Sequence, residues 1–268
     1  MGKQKNWYLT LGLALTVLSV GYSMLGAFWT PYSPTAMSAP DRYAGPSLSH
    51  LFGCDHMGRD VFSRTLEGAG ATLTIALAVL AIGFVAGVLI GALCGYYGGA
   101  ADAVIMRFCD AIAAFPSILL GLVVIAIIGP GKDNVILALG ILFIPSFARL
   151  TRGEFIKYRD RDFVQAARLM GVPDLRIIFL HILPNTWPVL LSGLTIGFNN
   201  AVLAEASMSY LGIGVTPPDT SLGRMISEAQ SYFTTAPWLI LFPALVMVLM
   251  ILGVGMVGEG IRERLGET

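Results

Sequence analysis

The sequence predicts an all-α integral membrane protein with six transmembrane helices. Apolar residues make up 55% of the 268 positions and charged residues only 13%, about half the charged fraction of soluble domains. The mean hydropathy is +0.73. About 20 apolar residues cross a bilayer as an α-helix, and long uncharged runs recur along this chain. The zero net charge averages a membrane core against its loops, so it says little about partners.

Five uncharged runs are long enough to span the membrane. They are residues 8–28, 68–101, 111–131, 182–204 and 229–258. A shorter run, 134–148, also spans if Lys132 and Arg149 lie at the two interfaces. The first run follows Lys3 and Lys5 and could be a secretory signal, but it exceeds the usual 7–15 apolar residues. We therefore expect a retained first helix.

The Lys and Arg residues assign the loops to the two sides. They concentrate in the N-terminus, in the loop between the fourth and fifth spans, and in the C-terminus. Six crossings place these three segments on one side, and the positive-inside rule makes it the cytoplasm. The other side receives 30–67, the turn at 130–134 and 212–228. We therefore predict a multi-pass protein with both termini in the cytoplasm.

The predicted cytoplasmic segment 153–185 is long for a simple connection. Its helical periodicity falls into two pieces divided at Gly171 and Pro173. Glycine suits the left-handed position that ends a helix, and proline suits the first turn of the next. Pro184 is expected to end the second piece before the fifth span. The pattern predicts two short cytoplasmic helices.

Small residues in the first piece point to a docking surface. Ala166 and Ala167 give that piece a face with almost no side chain, which a partner protein can approach closely. Asp162 and Arg168 flank this face. The alternative is an ordinary charged loop that follows the positive-inside rule.

The spacing of these residues resembles the EAA loop of ABC importer permeases. That pattern is Glu-Ala-Ala, three residues, Gly, nine residues, Ile, any residue, Leu-Pro. Residues 165–184 read QAARLMGVPDLRIIFLHILP. The Ala-Ala, Gly and Leu-Pro positions keep the spacing, whereas Gln165 replaces the Glu and His181 replaces the Ile.

Three further stretches are similar to the second permease of dipeptide, oligopeptide and nickel importers. HLFGCDHMGRDVFSR, from residue 50, resembles HxxGTDxxGRDxxSR, with Cys54 in place of Thr. AEASMSYLGIG, from residue 204, resembles EASxSFLGLG, and GEGIRE, from residue 258, resembles GDGLRD. The resemblance covers essentially the whole chain.

This resemblance implies the type I ABC importer permease fold with cytoplasmic coupling helices. Two such permeases would form a heterodimeric pore in the bacterial inner membrane. Each would dock on a cytoplasmic ATP-binding subunit, and the complex would contain one or two kinds of these subunits. A substrate-binding protein outside would deliver the cargo. The chain would be no enzyme and hold no cofactor, because ATP and Mg belong to the ATP-binding subunits. We expect the lipid bilayer but no nucleic acid as a partner.

The resemblance also implies a division of the chain and a set of coupling residues. The division is 1–29 for the N-terminus and first helix, 30–67 for an extracytoplasmic segment, 68–260 for the permease core, and 261–268 for a cytoplasmic tail. The coupling residues are Asp162, Gln165, Ala166, Ala167, Arg168, Gly171 and Arg176.

Glycines form a stripe in the second span, and charges occur in the third. The stripe consists of Gly83, Gly87, Gly91 and Gly95. A spacing of four aligns them on one helix face, where a neighbouring backbone can pack closely; that contact is either static or a sliding surface. Arg107 and Asp110 stand three residues apart and could pair with each other.

Polar residues in the fifth span are candidates for a translocation path. Asn199, Asn200 and Glu205 could face a pore and meet cargo. Alternatively, Glu205 could bond to backbone at a helix break before Gly212. The following segment, 212–228, is rich in proline and polar residues and fits a re-entrant or surface loop.

Metal and nucleotide sites find little support. The run from Cys54 to Met57 contains four ligand types, yet adjacent loop residues rarely converge on one ion, and HxxxH or CxxC spacing is absent. Residues around Lys132 imitate a P-loop, but Ala126 and Asp133 replace the first Gly and the Ser/Thr. We expect no metal site.

The cargo stays open between three classes. Peptides are the first choice, and nickel or a metal–chelator complex is the alternative for the same machinery.

Other classes of protein are distant alternatives, namely a secondary carrier or a membrane-embedded enzyme. A carrier usually shows internal repeats, and an enzyme would need a nucleophile and a base at membrane depth.

Overall fold

The computed structural model describes residues 5–264, with side chains from Trp7 onward, and this part of the chain is helical. Lys3 and the predicted tail residues 265–268 lie outside the described residues. The α-helices are α1 Lys5–Phe28, α2 Val61–Tyr97, α3 Gly99–Ala113, α4 Ser117–Ile128, α5 Lys132–Tyr158, α6 Asp162–Leu169, α7 Asp174–Arg176, α8 Leu183–Tyr210, α9 Leu222–Ala229 and α10 Trp238–Arg264. The π-helical turn Ile177–Ile182 joins α7 to α8.

The prediction of a helical membrane protein is confirmed. Five helices are long and apolar enough to cross a bilayer: α1, α2, α5, the continuous helix Asp174–Tyr210, and α10. The bent pair of α3 and α4 makes a sixth if it counts as one span. Below, the end of the bundle that carries α6 is called the coupling end, and the end that carries α9 is called the distal end.

Two predicted spans have different bounds. The run 111–131 is not one helix, because the chain breaks after Ala113 and bends by 90° before α4. Phe115 precedes Pro116, and a residue before proline is forced out of the helical conformation. The run 229–258 is also wrong at its start: Ala229 ends α9, and α10 begins only at Trp238, next to a second proline.

The second coupling helix is not separate from the fifth span. Asp174–Tyr210 is one continuous helix of 37 residues, so Pro184 does not end it. The Leu183 amide donates to the Ile178 carbonyl five residues back. This wide π-helical turn directly precedes Pro184, so the proline lies where the regular hydrogen bonding between residues four apart is already interrupted. Pro173 lies one position before α7 rather than in its first turn.

Helix α2 lies against α5 along the glycine stripe. A Cβ on Gly87 would lie 2.5 Å from the Phe147 Cβ, and one on Gly91 would lie 2.3 Å from the Ala148 carbonyl oxygen. Gly83 and Gly95 face α5 in the same way. The helices therefore approach too closely for any side chain at these positions.

Helix α1 packs on α10 in a similar manner. A Cβ on Gly12 would lie 2.7 Å from the Val257 amide nitrogen, and one on Gly253 would lie 2.8 Å from that of Thr16. Most of the rest of α1 is exposed, including Val17 and Leu18. These exposed apolar side chains suit contact with lipid.

Candidate functional sites

The segment 153–185 is called the coupling segment below. Its helix α6 packs one face against the protein core. Val164 and Ala167, three residues apart, are buried, and they join Phe155, Ile177 and Ile178 in one apolar cluster. The prediction that Ala166 and Ala167 form one open face is wrong. Successive residues of a helix point about 100° apart. Of the two alanines, Ala166 is therefore exposed, next to the exposed Gln165, and Ala167 is buried.

Gly171 ends α6 in the left-handed conformation that the sequence predicts, with a φ of +75°. The Val172 amide donates to the Ala167 carbonyl, and the Gly171 amide donates to the Arg168 carbonyl, which is the Schellman arrangement. A Cβ on Gly171 would meet nothing within 4 Å. Glycine is therefore required here by the backbone conformation and not by crowding.

The charged residues of the coupling segment connect three helices. The Arg168 guanidinium lies 4.9 Å from the centre of the Tyr96 ring, at the end of α2. The Tyr96 hydroxyl donates to Asp174 Oδ1 at 2.6 Å. Asp162, in the first turn of α6, and Arg176, in the last turn of α7, are exposed.

Large apolar side chains project from the same turn, and sequence reasoning missed them. Leu169 is 89% exposed, Met170 is 75% exposed and Leu175 is 61% exposed. Two of them directly precede the glycine that ends α6. Their position in an otherwise charged loop was the signal available, because a solvated loop seldom places consecutive large apolar residues at its turn.

A cavity of about 670 Å³ lies between α4, α5 and α8. Its polar lining consists of Ser117, Ser146, Ser192, Asn200 and Ser207, and the other lining residues are apolar or glycine. None of the described lining residues is charged. This volume falls within the range of about 300–1,000 Å³ that small-molecule sites have.

The three predicted path residues lie in three different surroundings. Asn200 lines the cavity. Asn199 lies beside Gly255 of α10, and within the described residues its Oδ1 has no hydrogen-bond partner. Glu205 is completely buried and accepts hydrogen bonds from the Thr72 and Ser209 hydroxyls. Glu205 therefore does not line the cavity; it bonds near the helix end, to hydroxyls rather than to backbone.

Five charged residues meet at the distal end, and we call them the distal charge cluster. They are Asp55, Arg59, Arg64, Arg224 and Glu228. Asp55 Oδ2 accepts from Arg59 Nε at 2.7 Å and from Arg64 Nη1 at 2.6 Å. Glu228 accepts from Arg64 Nη2 at 2.9 Å and from Arg224 Nε at 2.8 Å. Arg64 thus joins the segment before α2 to α9.

The two carboxyl groups of this cluster are shifted towards the ionised form. Burial by itself raises the pKa of Asp55, but hydrogen bonds from the Arg59 and Met57 amides and the charges of Arg64 and Arg59 outweigh it, so the pKa lies below its ordinary value. Burial opposes the arginines at Glu228 as well, and its pKa is also lowered, chiefly by Arg64. Both groups therefore stay charged at neutral pH.

The run from Cys54 to Met57 does not form a metal site. Asp55 is occupied by the two arginines, and the His56 ring stacks on Tyr232 with centroids 5.2 Å apart. Cys54 is buried, and this burial raises the pKa of its thiol to about 11. Within residues 5–264, no three His, Cys, Asp or Glu side chains come together in a way that could bind a metal ion.

The charges of α3 pair with α5 and not with each other. Asp110 accepts from Arg149 Nη1 at 3.5 Å, so the expected pair with Arg107 is wrong. Asp102 accepts from Arg152 Nε at 2.5 Å and from its Nη2 at 2.7 Å. Helix α3 packs against α5, and this contact brings the two aspartates to the arginines.

Residues 87–266 match the family model described as "Binding-protein-dependent transport system inner membrane component". This match covers more than half of the chain, including the coupling segment and the cavity helices. The chain belongs to this family. The match confirms the resemblance that the spacing around Gly171 indicates.

Relatives and solved structures agree with this membership. The chain is 36% identical over 262 residues to the dipeptide transport system permease DppC of Alkalihalophilus pseudofirmus. The aligned region covers 98% of this chain and 86% of that relative. It is 42% identical over 221 residues to the glutathione transport system permease GsiD of Escherichia coli, covering 82% and 73%. Its fold matches a chain of the MetNI methionine ABC transporter, in inward-facing conformations, with a TM-score of 0.62 at 19% identity, covering 74% and 94%.

Membership settles the class of activity. The chain is a multi-pass inner-membrane permease subunit of an ABC importer that works with an ATPase and a binding protein. ATP is hydrolysed in the partner ATPase subunits, and this permease is no enzyme and carries no cofactor of its own. The interpretations as a secondary carrier or a membrane-embedded enzyme are therefore wrong.

Proposed function

We propose that this chain forms one half of a heterodimeric pore, with a second homologous permease, and moves peptides into the cell. The observation that carries this proposal is the uncharged cavity between α4, α5 and α8. Serine hydroxyls and one amide can hydrogen-bond to peptide groups of any sequence. A wall without fixed charge passes peptides whose side chains differ in charge, because it neither traps nor repels them.

The similarity to peptide and glutathione permeases supports the same cargo. Nickel or a metal–chelator complex is the weaker choice. A bare divalent cation in an apolar cavity needs nitrogen or oxygen ligands to replace its water, and the described lining offers neither imidazole nor carboxylate. The relatives reported above name peptides or glutathione.

The orientation in the membrane is also a proposal. The coupling end carries the arginine-rich segment 149–176 and the C-terminal Arg262, so the positive-inside rule makes it cytoplasmic. Both termini then lie in the cytoplasm, and 30–67 and 212–228 lie outside. A C-terminal fluorescent-protein fusion should fluoresce, and a C-terminal alkaline phosphatase fusion should be inactive; the reverse pattern would overturn the orientation.

We assign contact with an ATP-binding subunit to the turn at the end of α6. Ala166 leaves room for close approach, Gly171 sets the turn, and Leu169 and Met170 supply exposed apolar area. The buried centre of such a contact carries most of its energy, whereas rim charges such as Asp162, Arg168, Arg176 and the polar Gln165 tune it. Ala167 acts from inside, by packing α6 on the protein core.

The test is reconstitution of the tagged chain with the subunits that co-purify with it. Recovery of a second permease and of ATP-binding subunits, with ATPase activity that rises on adding a peptide-loaded binding protein, supports the proposal. Recovery of a homodimer, or stimulation by a nickel-loaded protein but not by a peptide-loaded one, would overturn the partner or the cargo respectively.

A substitution in the cavity tests the path. Asn200→Trp fills the cavity and should reduce uptake strongly. Val85→Trp adds the same side chain at a position of α2 that is 57% exposed, and it should leave uptake near wild type. Equal uptake by both variants would show that cargo does not pass along this wall.

A further inference from the structure

Between α8 and α9 the chain folds back on itself, and we call residues 211–221 the return loop. It packs closely on the end of α8: a Cβ on Gly214 would lie 2.2 Å from the Ser209 hydroxyl oxygen. Just beyond the loop, a Cβ on Gly223 would lie 2.5 Å from the Ala206 Cα. The Gly131 amide donates to the Gly214 carbonyl at 3.1 Å. The loop therefore contacts the turn between α4 and α5 as well as α8.

Glu205 connects to the chain at two points along this loop. The Thr72 hydroxyl donates to Glu205 Oε2 at 3.1 Å and accepts from the amide of Leu222, directly after the loop, at 3.2 Å. The Ser209 hydroxyl donates to Glu205 Oε1 at 2.7 Å and accepts from the amide of Val215, inside the loop, at 3.1 Å. Each oxygen of the Glu205 carboxyl group thus reaches one of these two amides through one hydroxyl.

The backbone amides and the burial of Glu205 give this arrangement its direction. An amide N–H only donates, so a lone pair of each hydroxyl faces a backbone amide and its proton faces Glu205. Glu205 is completely buried, and no cation pairs with it within residues 7–264. A buried carboxyl group without a cation depends on its hydrogen bonds, and here those bonds lead to the loop.

The turn of α8 that carries Glu205 also forms part of the cavity wall. Ala204 and Ser207 line the cavity, and Glu205 lies between them in sequence on the opposite, buried side. The position of the return loop and the position of this wall are therefore set by the same helical turn.

We propose that Glu205 is a positioning residue that fixes the return loop at Val215 through Ser209 and at the following Leu222 through Thr72, and thereby sets the rate of transport without touching cargo. The inference needs only the membership in the permease family and not a particular cargo. It applies equally if the cargo is a peptide or a metal complex.

The test uses a matched set of α2 variants in the reconstituted transporter. Thr72→Val removes the connecting hydroxyl, and Thr72→Ser keeps it. Thr74→Val is the control, because the exposed Thr74 hydroxyl bonds to the Gly70 carbonyl of its own helix. Glu205→Ala removes the centre of the arrangement. Hydrogen exchange of residues 211–222 and the kinetics of uptake are measured on each variant.

Thr72→Val and Glu205→Ala should speed exchange in the return loop by at least about tenfold, as expected for a lost buried hydrogen bond. They should lower kcat for uptake and leave KM unchanged, because cargo contacts are intact. Thr72→Ser and Thr74→Val should behave as wild type.

Two results would overturn the inference. Slower uptake with unchanged exchange in the loop would mean that Glu205 acts on cargo directly. Faster exchange with normal uptake would mean that the loop has only a structural role. If Glu205→Ala does not assemble, the Thr72 pair still decides, because Thr72→Val leaves the carboxylate in place.

Discussion

The distal charge cluster and the turn that ends α6 lie at opposite ends of the helix bundle and differ in how their side chains are covered. In the distal charge cluster, Asp55 and Arg64 are buried at 4% and 7% side-chain exposure, and they pair with each other. At the end of α6, Leu169 is 89% exposed and Met170 is 75% exposed. The charges of the cluster are paired within the chain, whereas the apolar turn of α6 is uncovered. This difference supports the proposed contact of that turn with another protein.

Gly171→Asp should break the coupling end most severely. Any non-glycine residue at a φ of +75° costs about 1–2 kcal/mol of unfolding free energy. The new side chain also enters the turn that ends α6, called the docking turn below. Uptake should fall to background while membrane insertion persists. Gly45→Asp is the matched control at the distal end, since Gly45 is exposed with open space around it. Wild-type uptake by Gly171→Asp would refute the role of the turn.

Arg64→Met should destabilise the distal end by about 1.5–3 kcal/mol, because Asp55 and Glu228 each lose one charged hydrogen-bond donor and keep another, Arg59 and Arg224 respectively. Arg262→Met removes an exposed pair with Glu259, at 47% and 46% side-chain exposure, and should cost less than about 1 kcal/mol. Denaturant unfolding of the purified protein in detergent compares them. Equal losses would show that the distal charge cluster does not hold its end of the bundle together.

A double substitution, Leu169→Ser with Met170→Ser, should weaken binding of the ATP-binding subunit by about tenfold or more, the usual effect of removing a central apolar contact. Stability should change by less than about 0.5 kcal/mol, because neither side chain is packed. Leu48→Ser, fully exposed at the distal end, serves as the control. Unchanged binding would move the docking surface elsewhere.

The stability that the distal charge cluster provides should be insensitive to pH over the physiological range, which makes this the smallest of the expected effects. Asp55 and Glu228 have lowered pKa values, so their stabilisation is complete above the unfolded pKa of about 4 and is lost only as pH falls through the lower folded values. The difference in melting temperature between wild type and Arg64→Met should persist from about pH 8 to pH 5 and shrink below about pH 4. A difference that disappears by pH 6 would contradict this.

Much of the helical framework could be predicted because a bilayer imposes strict lengths. Most uncharged runs lie largely on one long helix, and the spacing of Gly83 to Gly95 indicates a close helix contact. The turn at Gly171 was predictable because its conformation depends only on neighbouring residues. These features are local in the chain, so a single sequence contains them.

The rest depends on contacts between distant residues. Hydropathy has no direction, so the run through Pro116 conceals a 90° bend. One partner of Glu205 is Thr72, 133 residues away, and only the relative positions of α2 and α8 bring them together. Asp110 has an arginine closer in sequence, at position 107, yet it pairs with Arg149 of α5. The pairing of Asp110 therefore follows helix packing and not distance along the chain.

The continuous helix from Asp174 to Tyr210 has a mechanical consequence. Its 37 residues, at about 1.5 Å per residue, make a rod about 55 Å long that begins beside the docking turn and ends at the return loop. A tilt of about 5° at one end of such a rod displaces the other by about 5 Å, roughly one helical turn. The π-helical turn lies near the start of this lever, so most of the helix lies on the return-loop side of it.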